Sequence, residues 1–431
     1  MPILSLASPP HRKRAMLRSN DFTNHTWRLS ALQDFKPGIG QGIGFLYKLW
    51  QRLAHFLSGQ LQSRDRSNLP PNISTPTSNI NMPPLSPEDL VLVTGANGHV
   101  AQHVVDQFLS LPTGPRVRAT VRSASSAAGL ESHFAASLAS SRLEIVLIPD
   151  LLAPDAFSEA LTDVTHIAHV ASPLAINVTD VSRDLLAPAI TGTTALLTAA
   201  LTSPSLKSVV VTGSFAAVMD VAKHPRPGYV YTAADWNPIT YAEAADPALD
   251  LSRWPAVYRP FVTYMASKTL AERAAWEVWE RERPRWGLSV LLPSYIGGPY
   301  VLPLKGGAEG LSWSTGLVWG VAKGGKLPAV DYPDWTDVRD VAGAHVRALE
   351  GGGGGGGGGV FLGGGGITYS DIADIVRKNF TQLKPSDEKQ VETYHDVDTS
   401  EAAEVLGITE WTSMEKMVVD SVSQVLEYEG K

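Results

Sequence analysis

The chain of 431 residues contains no cysteine. This absence excludes disulfide bonds, a thiol nucleophile and a zinc site built on thiolates, and it is compatible with a reducing compartment. Basic residues are outnumbered, because 36 Lys and Arg face 43 Asp and Glu and the net charge is -7. That balance disfavours nucleic acid as a partner. A secretory signal pattern is also lacking.

Residues 1–87 are predicted to be a basic, partly disordered extension with a polar, proline-rich linker at 68–87. Its first 85 residues hold 10 Lys and Arg against 3 Asp and Glu. A disordered tail or an incorrect gene start is the preferred interpretation of this extension, and a stretch with apolar residues at helical spacing makes a membrane-surface helix or part of a targeting segment the alternative. We therefore expect a cytoplasmic protein, with a mitochondrial or membrane-surface location as the alternative. The apolar residues are Ile43, Leu46, Leu49, Trp50, Leu53, Phe56 and Leu57.

A glycine-rich turn follows the apolar run Val91 to Thr94 and precedes an amphipathic segment, which predicts a strand, a tight turn and a helix. Gly95 suits the sharp turn, and Gly98 lets the backbone approach a pyrophosphate. The N-terminus of the following helix presents unpaired N–H groups and the positive end of its dipole to that group. The pattern therefore predicts a dinucleotide site.

The next predicted strand, Arg116 to Val121, ends at Arg122. An acidic residue here would accept a hydrogen bond from the ribose 2′-hydroxyl of NADH, whereas an arginine accommodates a 2′-phosphate. No Asp or Glu occurs between Asp106 and Glu131. We therefore expect NADPH, with the guanidinium of Arg122 pairing the phosphate. Arg118, inside the strand, is interpreted as structural.

Further short apolar runs alternate with segments of helical length, which indicates a doubly wound parallel sheet of the Rossmann type in an α/β fold. Ligands of such sheets gather at the carboxyl ends of the strands. The runs are Leu143 to Ile148, His166 to Val170, Ser208 to Thr212 and Leu288 to Leu292.

Tyr264 and Lys268 are four residues apart, so on a helix they share one face. A phenol titrates near ~10 and needs a fixed neighbouring charge to move its proton near neutral pH. The ammonium group of Lys268 is predicted to fill that role. Ser214 follows a predicted strand and is positioned to donate to a carbonyl oxygen while Tyr264 delivers the proton.

The chain resembles the extended short-chain dehydrogenase/reductases, and within them the dihydroflavonol reductase-like group that includes fungal aldehyde and ketone reductases. The similarity covers roughly residues 88 to 431. The matching stretches are Gly95 to His103, Val121 to Ser123, Ile148 to Leu151, His169 to Pro173, Arg183 to Ala189, Val211 to Val218, Asp235 to Pro238, Tyr264 to Lys268, Pro293 to Pro299, Asp337 to Ala342, Asp398 to Ser400 and Leu406-Gly407.

The resemblance implies a role for each matched side chain. Ser214 would polarise the carbonyl, Tyr264 would be the general acid, and Lys268 would lower the pKa of Tyr264 and hold the nicotinamide ribose. Phe215 and Tyr295 would face the substrate. Residues implied to line NADPH, besides Tyr264 and Lys268, are Gly95, Asn97, Gly98, His99, Val100, Arg122, Asp150, Leu151, Ala171, Ser172, Pro293, Ser294, Tyr295 and Ile296.

Residues 88–431 would form one reductase unit, with a Rossmann core at about 88–300 and a smaller substrate lobe drawn mainly from 300–431. The loop Leu302 to Gly325, with Trp313 and Trp319, is predicted to act as a lid, and simple packing of the lobe is an equally consistent alternative. In the glycine-rich segment 351–366, Val360 to Leu362 are expected to keep a strand. Gly297, at a position that is often bulky in the group, is expected to widen the pocket.

The sequence therefore predicts an NADPH-dependent reductase, monomeric or homodimeric, that converts an aldehyde or ketone to an alcohol. A 3β-hydroxysteroid or sterol dehydrogenase, a sugar-nucleotide epimerase and an NADPH-sensing regulator are the alternatives. No metal is expected, because Val100 stands between His99 and His103 where a metalloprotease would carry Glu. The substrate itself is left open.

Overall fold

The structure is a computed structural model that describes residues 84–153, 155–172, 178–351, 359–391 and 395–430. The predicted amphipathic segment at 43–57 and the glycines at 352–358 lie outside these residues. Strands of the described part are β1 (Leu90–Thr94), β2 (Arg116–Val121), β3 (Leu143–Leu147), β4 (His166–His169), β5 (Ser208–Thr212), β6 (Val230–Tyr231), β7 (Gly287–Pro293), β8 (Tyr295–Gly297), β9 (Asp334–Asp337), β10 (Gly359–Leu362), β11 (Gly365–Gly366) and β12 (Asp396–Val397).

Helices connect most of these strands, as the alternating apolar and amphipathic segments predict. A π-helix at Ser182–Leu186 runs directly into the fourth α-helix. The α-helices of the described part are α1 (His99–Ser110), α2 (Ala124–His133), α3 (Ala135–Ala139), α4 (Ala187–Ala200), α5 (Tyr241–Ala244), α6 (Val262–Glu282), α7 (Trp313–Ala322), α8 (Val338–Glu350), α9 (Tyr369–Asn379), α10 (Ser400–Leu406) and α11 (Met414–Tyr428).

The main sheet has seven parallel strands in the order β10-β7-β5-β4-β1-β2-β3 within the described residues. Leu92 of β1 lies between Arg118 of β2 and Ile167 of β4. The strand order reverses between β1 and β4, and crevices at such a reversal are the usual ligand sites of doubly wound sheets. The Rossmann fold class predicted from the sequence is confirmed.

Apolar side chains cover both faces of the main sheet. Leu92 and Ile167 point into one cluster with residues of α4 and α6, whereas Val91 and Val93 point into a second cluster with residues of α1 and α8. The alternation along β1 follows from the period of two in a strand. Because both faces are covered, the five residues of β1 are all buried.

A smaller lobe contains the sheet β8-β9-β11 and a separate apolar cluster formed by α7, α9 and α11. Trp319 of α7 is only 4% exposed within that cluster. It therefore belongs to the packing of the lobe, which for this residue is the alternative that the sequence left open beside a lid. Trp313, at the start of the same helix, is 47% exposed.

The segment after residue 300 contributes to both parts of the molecule. Strand β10 pairs with β7 and completes the main sheet, and α8 packs on that sheet through Val341 and Ala344. The strand expected at Val360 to Leu362 is thus present. The lobe proper consists of the segments on either side of the stretch 338–362.

An arginine links the core to the lobe. Arg339, in the first turn of α8, donates from Nε and Nη2 to the two carboxylate oxygens of Asp337 at 2.7 and 2.6 Å. Its Nη1 donates to Asp420 Oδ2 of α11 at 2.6 Å. Asp337 is fully buried and also caps α8 by accepting from the N–H of Arg339. The matched motif Asp337 to Ala342 is therefore a joint between the two parts.

Candidate active site

A cleft of about 910 Å³ lies at the carboxyl ends of the main-sheet strands. Its wall contains every residue that the sequence predicted to bind NADPH or substrate or to act in catalysis, from Gly95 to Ile296. These residues follow six different strands and the start of α6, so the fold brings together residues that are far apart in the sequence. The position of the cleft agrees with the general rule for ligand sites in doubly wound sheets.

The glycine turn between β1 and α1 has the geometry that a pyrophosphate site requires. Gly95 has φ +66°, and a Cβ there would lie 3.1 Å from Ala171, so a side chain would be strained and crowded. Gly98 is the N-cap of α1 and has no capping side chain, which leaves the helix N-terminus open to an anion. The residues present therefore fit a dinucleotide.

Thr94, at the end of β1, holds this turn against the loop after β4. Its Oγ1 accepts from the N–H groups of Val170 and Ala171 at 3.1 and 3.0 Å and lies 2.9 Å from Nδ1 of His169. Sequence reasoning did not identify this role. The available signal in the sequence was the resemblance of His169 to Ser172 to known reductases. A binding loop directly after a strand has to be held in place by neighbouring side chains, and Thr94 is such a neighbour.

His99, the first residue of α1, joins the cofactor side of the cleft to the segment after β8. Its Nε2 lies 3.2 and 3.1 Å from the carbonyl oxygens of Gly298 and Pro299, and its ring stacks on Tyr300 at 4.1 Å between centroids. Burial lowers the pKa of His99 to about 4, so the ring is neutral at physiological pH. The described residues contain no group of three or more His, Asp and Glu that could hold a metal.

Arg122 stands exposed at the end of β2, where the cleft wall opens. The following residue, Ser123, caps α2 by accepting from the N–H of Ser126 at 3.3 Å. Arg122 thus immediately precedes the N-cap of a second helix. An exposed cation at this place suits the 2′-phosphate of NADPH. Arg118, in contrast, bonds to Glu144 and to two backbone carbonyls, which confirms its structural role.

Ser214 is placed by a tight turn after β5. The N–H of Gly213 donates to Leu291 O at 2.8 Å, and a Cβ on Gly213 would lie 2.8 Å from the Leu292 side chain. A serine at position 213 would require a shift of that neighbour, which explains the glycine. Ser214 Oγ accepts from the N–H of Ala216 at 3.2 Å, so the hydroxyl is fixed at the base of the cleft.

Helix α6 brings Tyr264 and Lys268 to the same wall, one turn apart. Thr269 Oγ1 donates to Ala217 O at 3.1 Å and ties this helix to the turn that carries Ser214. Tyr264 and Ser214 line the same cleft, and the Ser214 hydroxyl is close enough to lower the pKa of Tyr264. Lys268 Nζ donates to Ser172 Oγ at 2.9 Å, which connects the helix to the loop after β4.

The ionisation of these groups is set mainly by burial. Burial raises the pKa of Tyr264 to about 12, although the hydrogen bond from Ser214 opposes it. Tyr264 therefore carries its proton at neutral pH and can act as an acid. Burial lowers the pKa of Lys268 to about 8, while the carboxylate of Glu272 one turn further along acts in the opposite direction.

The far end of the cleft is aromatic. Phe215 lies face to face with Tyr332, with centroids 4.5 Å apart, and is almost fully buried. Phe261 and Trp313 meet edge to face at 5.6 Å on the cleft wall. Sequence reasoning anticipated Phe215 and Trp313 here. It missed Phe261, Tyr332 and the buried Asp331, because the long segment after β5 and the loop before β9 carry no recognisable motif.

Gly297 does not lie on the cleft wall. A Cβ on Gly297 would lie 2.5 Å from the sulfur of Met417, which is fully buried in α11. The missing side chain makes room for a helix of the lobe. The expectation that Gly297 widens the pocket is therefore wrong.

The fold and cleft agree with known proteins. The family model described as Male sterility protein, an NAD-binding family of extended short-chain dehydrogenase/reductases, matches residues 93–341. An oxidoreductase of Schizosaccharomyces pombe, itself uncharacterised, is 38% identical over 68% of this chain and 82% of the relative. The NADPH-dependent methylglyoxal reductase of Saccharomyces cerevisiae is 29% identical over 79% of this chain and 99% of the relative.

A crystal structure of the yeast methylglyoxal/isovaleraldehyde reductase complexed with NADPH superposes with a TM-score of 0.69 and 29% identity. The superposition covers 79% of this chain and 99% of that one. The chain belongs to the extended short-chain dehydrogenase/reductase family, in its dihydroflavonol reductase-like group. It is an NADP-dependent oxidoreductase.

Proposed function

We propose that this protein reduces an aldehyde or ketone to an alcohol with NADPH, and that Ser214, Tyr264 and Lys268 carry out the reaction. The observation that supports this most directly is that the Ser214 and Tyr264 side chains line the same cleft, close enough for the Ser214 hydroxyl to lower the pKa of Tyr264. Two hydroxyl groups that converge on one point are suited to bind a single carbonyl oxygen. The relatives named as reductases point to the same chemistry.

Bound NADPH supplies the hydride that adds to the carbonyl carbon. Side chains of the protein bind and protonate the carbonyl oxygen of the substrate. The hydroxyls of Ser214 and Tyr264 donate to the substrate oxygen and stabilise the negative charge that develops on it. Tyr264 then transfers its proton to that oxygen, which completes the alcohol and leaves a phenolate that solvent reprotonates.

The cofactor would be held along the wall already described. The glycine turn and the N-terminus of α1 suit the pyrophosphate, and Arg122 suits the 2′-phosphate. Lys268 reaches the loop after β4 through Ser172, on the side where the nicotinamide ribose is expected. Asp150 accepts from the N–H of Leu152 at 2.8 Å, which orders the loop implied to flank the adenosine.

The substrate end of the wall is largely aromatic and apolar, which favours a carbonyl compound with an apolar body. The residues that carry this argument are Trp313 and Phe261, which keep exposed surface on this wall, whereas Phe215, Met219, Met265 and Tyr332 are nearly buried and shape it from behind. A small ketoaldehyde would leave much of this surface uncovered. A larger aldehyde or ketone would cover it and gain from burial of apolar area.

The test is oxidation of NADPH, followed at 340 nm, with a panel of aldehydes, diketones and aryl ketones and with NADH in parallel. Tyr264→Phe is expected to lower kcat by at least ~10²-fold, because it removes the proton donor, and to leave NADPH affinity nearly unchanged. Tyr241→Phe is the matched control, since that phenol bonds to Ser182 outside the cleft wall. A Tyr264→Phe variant that keeps a tenth of wild-type turnover contradicts the assignment.

A cytoplasmic location and a monomeric or homodimeric state complete the proposal. The absence of cysteine is compatible with a reducing compartment. In the described part of the chain, no helix combines the length and the apolar character needed to cross a bilayer. Cell fractionation and light scattering on the purified full chain test these two points.

A further inference from the structure

A buried carboxylate lies at the substrate end of the cleft wall. Asp331 is 6% exposed and receives hydrogen bonds from three donors. Tyr295 OH donates to Oδ2 at 2.5 Å, while Tyr369 OH and the N–H of Tyr332 donate to Oδ1 at 3.2 and 2.9 Å. The backbone is held as well, because Tyr258 OH donates to Asp331 O at 2.6 Å. This side chain cannot turn without breaking several bonds.

The bond from Tyr295 to Asp331 decides what Tyr295 can offer to a ligand. A phenol has one proton and an oxygen that also accepts. At 2.5 Å the bond is in the short range of charge-assisted hydrogen bonds, so the proton of Tyr295 is committed to the carboxylate. Burial and the nearby carboxylate raise the pKa of Tyr295 well above its usual range, so the proton stays on the phenol. Towards the cleft, the Tyr295 oxygen is left as an acceptor.

Tyr295 is also close to the reacting groups. It is the first residue of β8, with one residue between it and the end of β7, and it lines the same wall as Tyr264. A charge on Tyr264 would raise the pKa of Tyr295 further. Ser214 and Tyr264 supply the donors for the carbonyl oxygen. A substrate placed on them therefore presents the rest of its structure to an acceptor and to aromatic surface.

We propose that Asp331 is a positioning residue that fixes Tyr295 as a hydrogen-bond acceptor, so that the cleft selects carbonyl substrates bearing a hydroxyl group near the carbonyl. This inference rests on the proposed function. It assigns the substrate class as hydroxy-aldehydes or hydroxy-ketones with an apolar body. Diketones and ethers of the same shape lack the donor and would leave the Tyr295 oxygen unpaired on binding.

The experiment compares aryl ketones that carry a hydroxyl on the α or β carbon with their methyl ethers, using the full chain and NADPH. Wild type is expected to show a kcat/KM at least ~10-fold higher for the hydroxy-ketones, which corresponds to one hydrogen bond of ~1.4 kcal/mol. A ratio near one in wild type would overturn the proposal.

Two variants separate the effect of the Tyr295 hydrogen-bonding direction on the hydroxy-to-ether ratio from the effect of the shape of the ring. Asp331→Asn places an NH₂ group opposite the Tyr295 oxygen, because the amide oxygen is needed by the N–H of Tyr332. The phenol proton is then free to turn to the cleft, and the preference should fall to one or below, in favour of the ethers. Tyr295→Phe should remove the preference without reversing it.

Tyr369→Phe is the matched control. It also removes one donor from Asp331, but it leaves the bond from Tyr295 in place and Tyr369 is not on the cleft wall. Its hydroxy-to-ether ratio should equal that of wild type. A purely structural Asp331 predicts that Asp331→Asn and Tyr369→Phe lower stability and activity while keeping the ratio, and that outcome would refute the proposal.

Failure of the proposed function is distinguished by a binding measurement. Calorimetric titration of each hydroxy-ketone and its ether into the protein with NADP⁺ bound reports the same selectivity without turnover. A preference in affinity that Asp331→Asn reverses supports the inference even where no ketone is reduced. Equal affinities for the two ligands in wild type would refute it.

Discussion

The ammonium group of Lys268 lies 5.9 Å from the centre of the Tyr264 ring and donates to Ser172 instead of the phenol. The two side chains are one helical turn apart, as their spacing requires. Burial of the Tyr264 phenol affects its pKa more than the charge of Lys268 does, and the pKa of Tyr264 is raised to about 12. The Tyr264 phenol is therefore protonated at neutral pH and can donate one proton. The positive charge of Lys268 is then available to act on the cofactor.

The charge of Lys268 should set the upper limit of the pH range. Burial lowers its pKa from 10.5 to about 8, so the ammonium form is lost as the pH rises through that value. We expect kcat/KM for NADPH to be constant below pH 7 and to fall tenfold per unit well above pH 8. In Lys268→Arg the fall should disappear, because the guanidinium stays charged. A wild-type profile that is flat to pH 10 would contradict this account.

Arg122 should determine the choice between NADPH and NADH. Arg122→Ala removes a charged partner of the 2′-phosphate, and a hydrogen bond to a charged group is worth ~1.5–3 kcal/mol. The KM for NADPH should therefore rise ~10- to 100-fold, whereas the KM for NADH should change little. Arg116→Ala, at the exposed opposite end of β2, is the control. Equal losses with both cofactors would show that Arg122 supports the fold and not the phosphate.

Local patterns were sufficient for the main sheet and for the reacting groups. The strand at Ser208 to Thr212 has the bounds that the sequence predicted. The catalytic candidates were accessible because their spacing within a helix and their places at strand ends are properties of short segments. The cleft confirms that these places come together in space, while their chemical roles stay predictions.

Contacts between distant segments could not be predicted in the same way. Asp331 gains its place from Tyr295 and Tyr369, which are 36 and 38 residues away. Trp319 lies in a largely apolar helix whose partner helices come much later in the chain. The residue pattern within one segment does not show which distant segment it will pack against. The packing of the lobe and of the substrate end of the cleft could therefore not be predicted from the sequence.

Trp313 should contribute to the binding of large substrates only. It is exposed, lies on the cleft wall and meets Phe261 edge to face. Trp313→Ala should raise KM for aryl ketones ~2- to 12-fold, since an aromatic contact is worth ~0.5–1.5 kcal/mol. Short aliphatic aldehydes serve as the internal control and should be unaffected. A uniform rise in KM for all substrates would show that the residue supports the cleft as a whole.

Gly297 should matter for stability and not for substrate choice. Gly297→Val places branched carbon atoms against Met417, whose sulfur is already 2.5 Å from the position of a Cβ. Overpacking of this kind costs ~1–3 kcal/mol, because the buried methionine and its helix have to move. The free energy of unfolding, measured by urea denaturation, should fall by that amount. Gly316→Ala in α7 is the control, because a Cβ there meets nothing within 4 Å and a helical alanine should stabilise slightly. Unchanged stability of Gly297→Val together with an altered KM for ketones would mean that Gly297 faces the cleft after all.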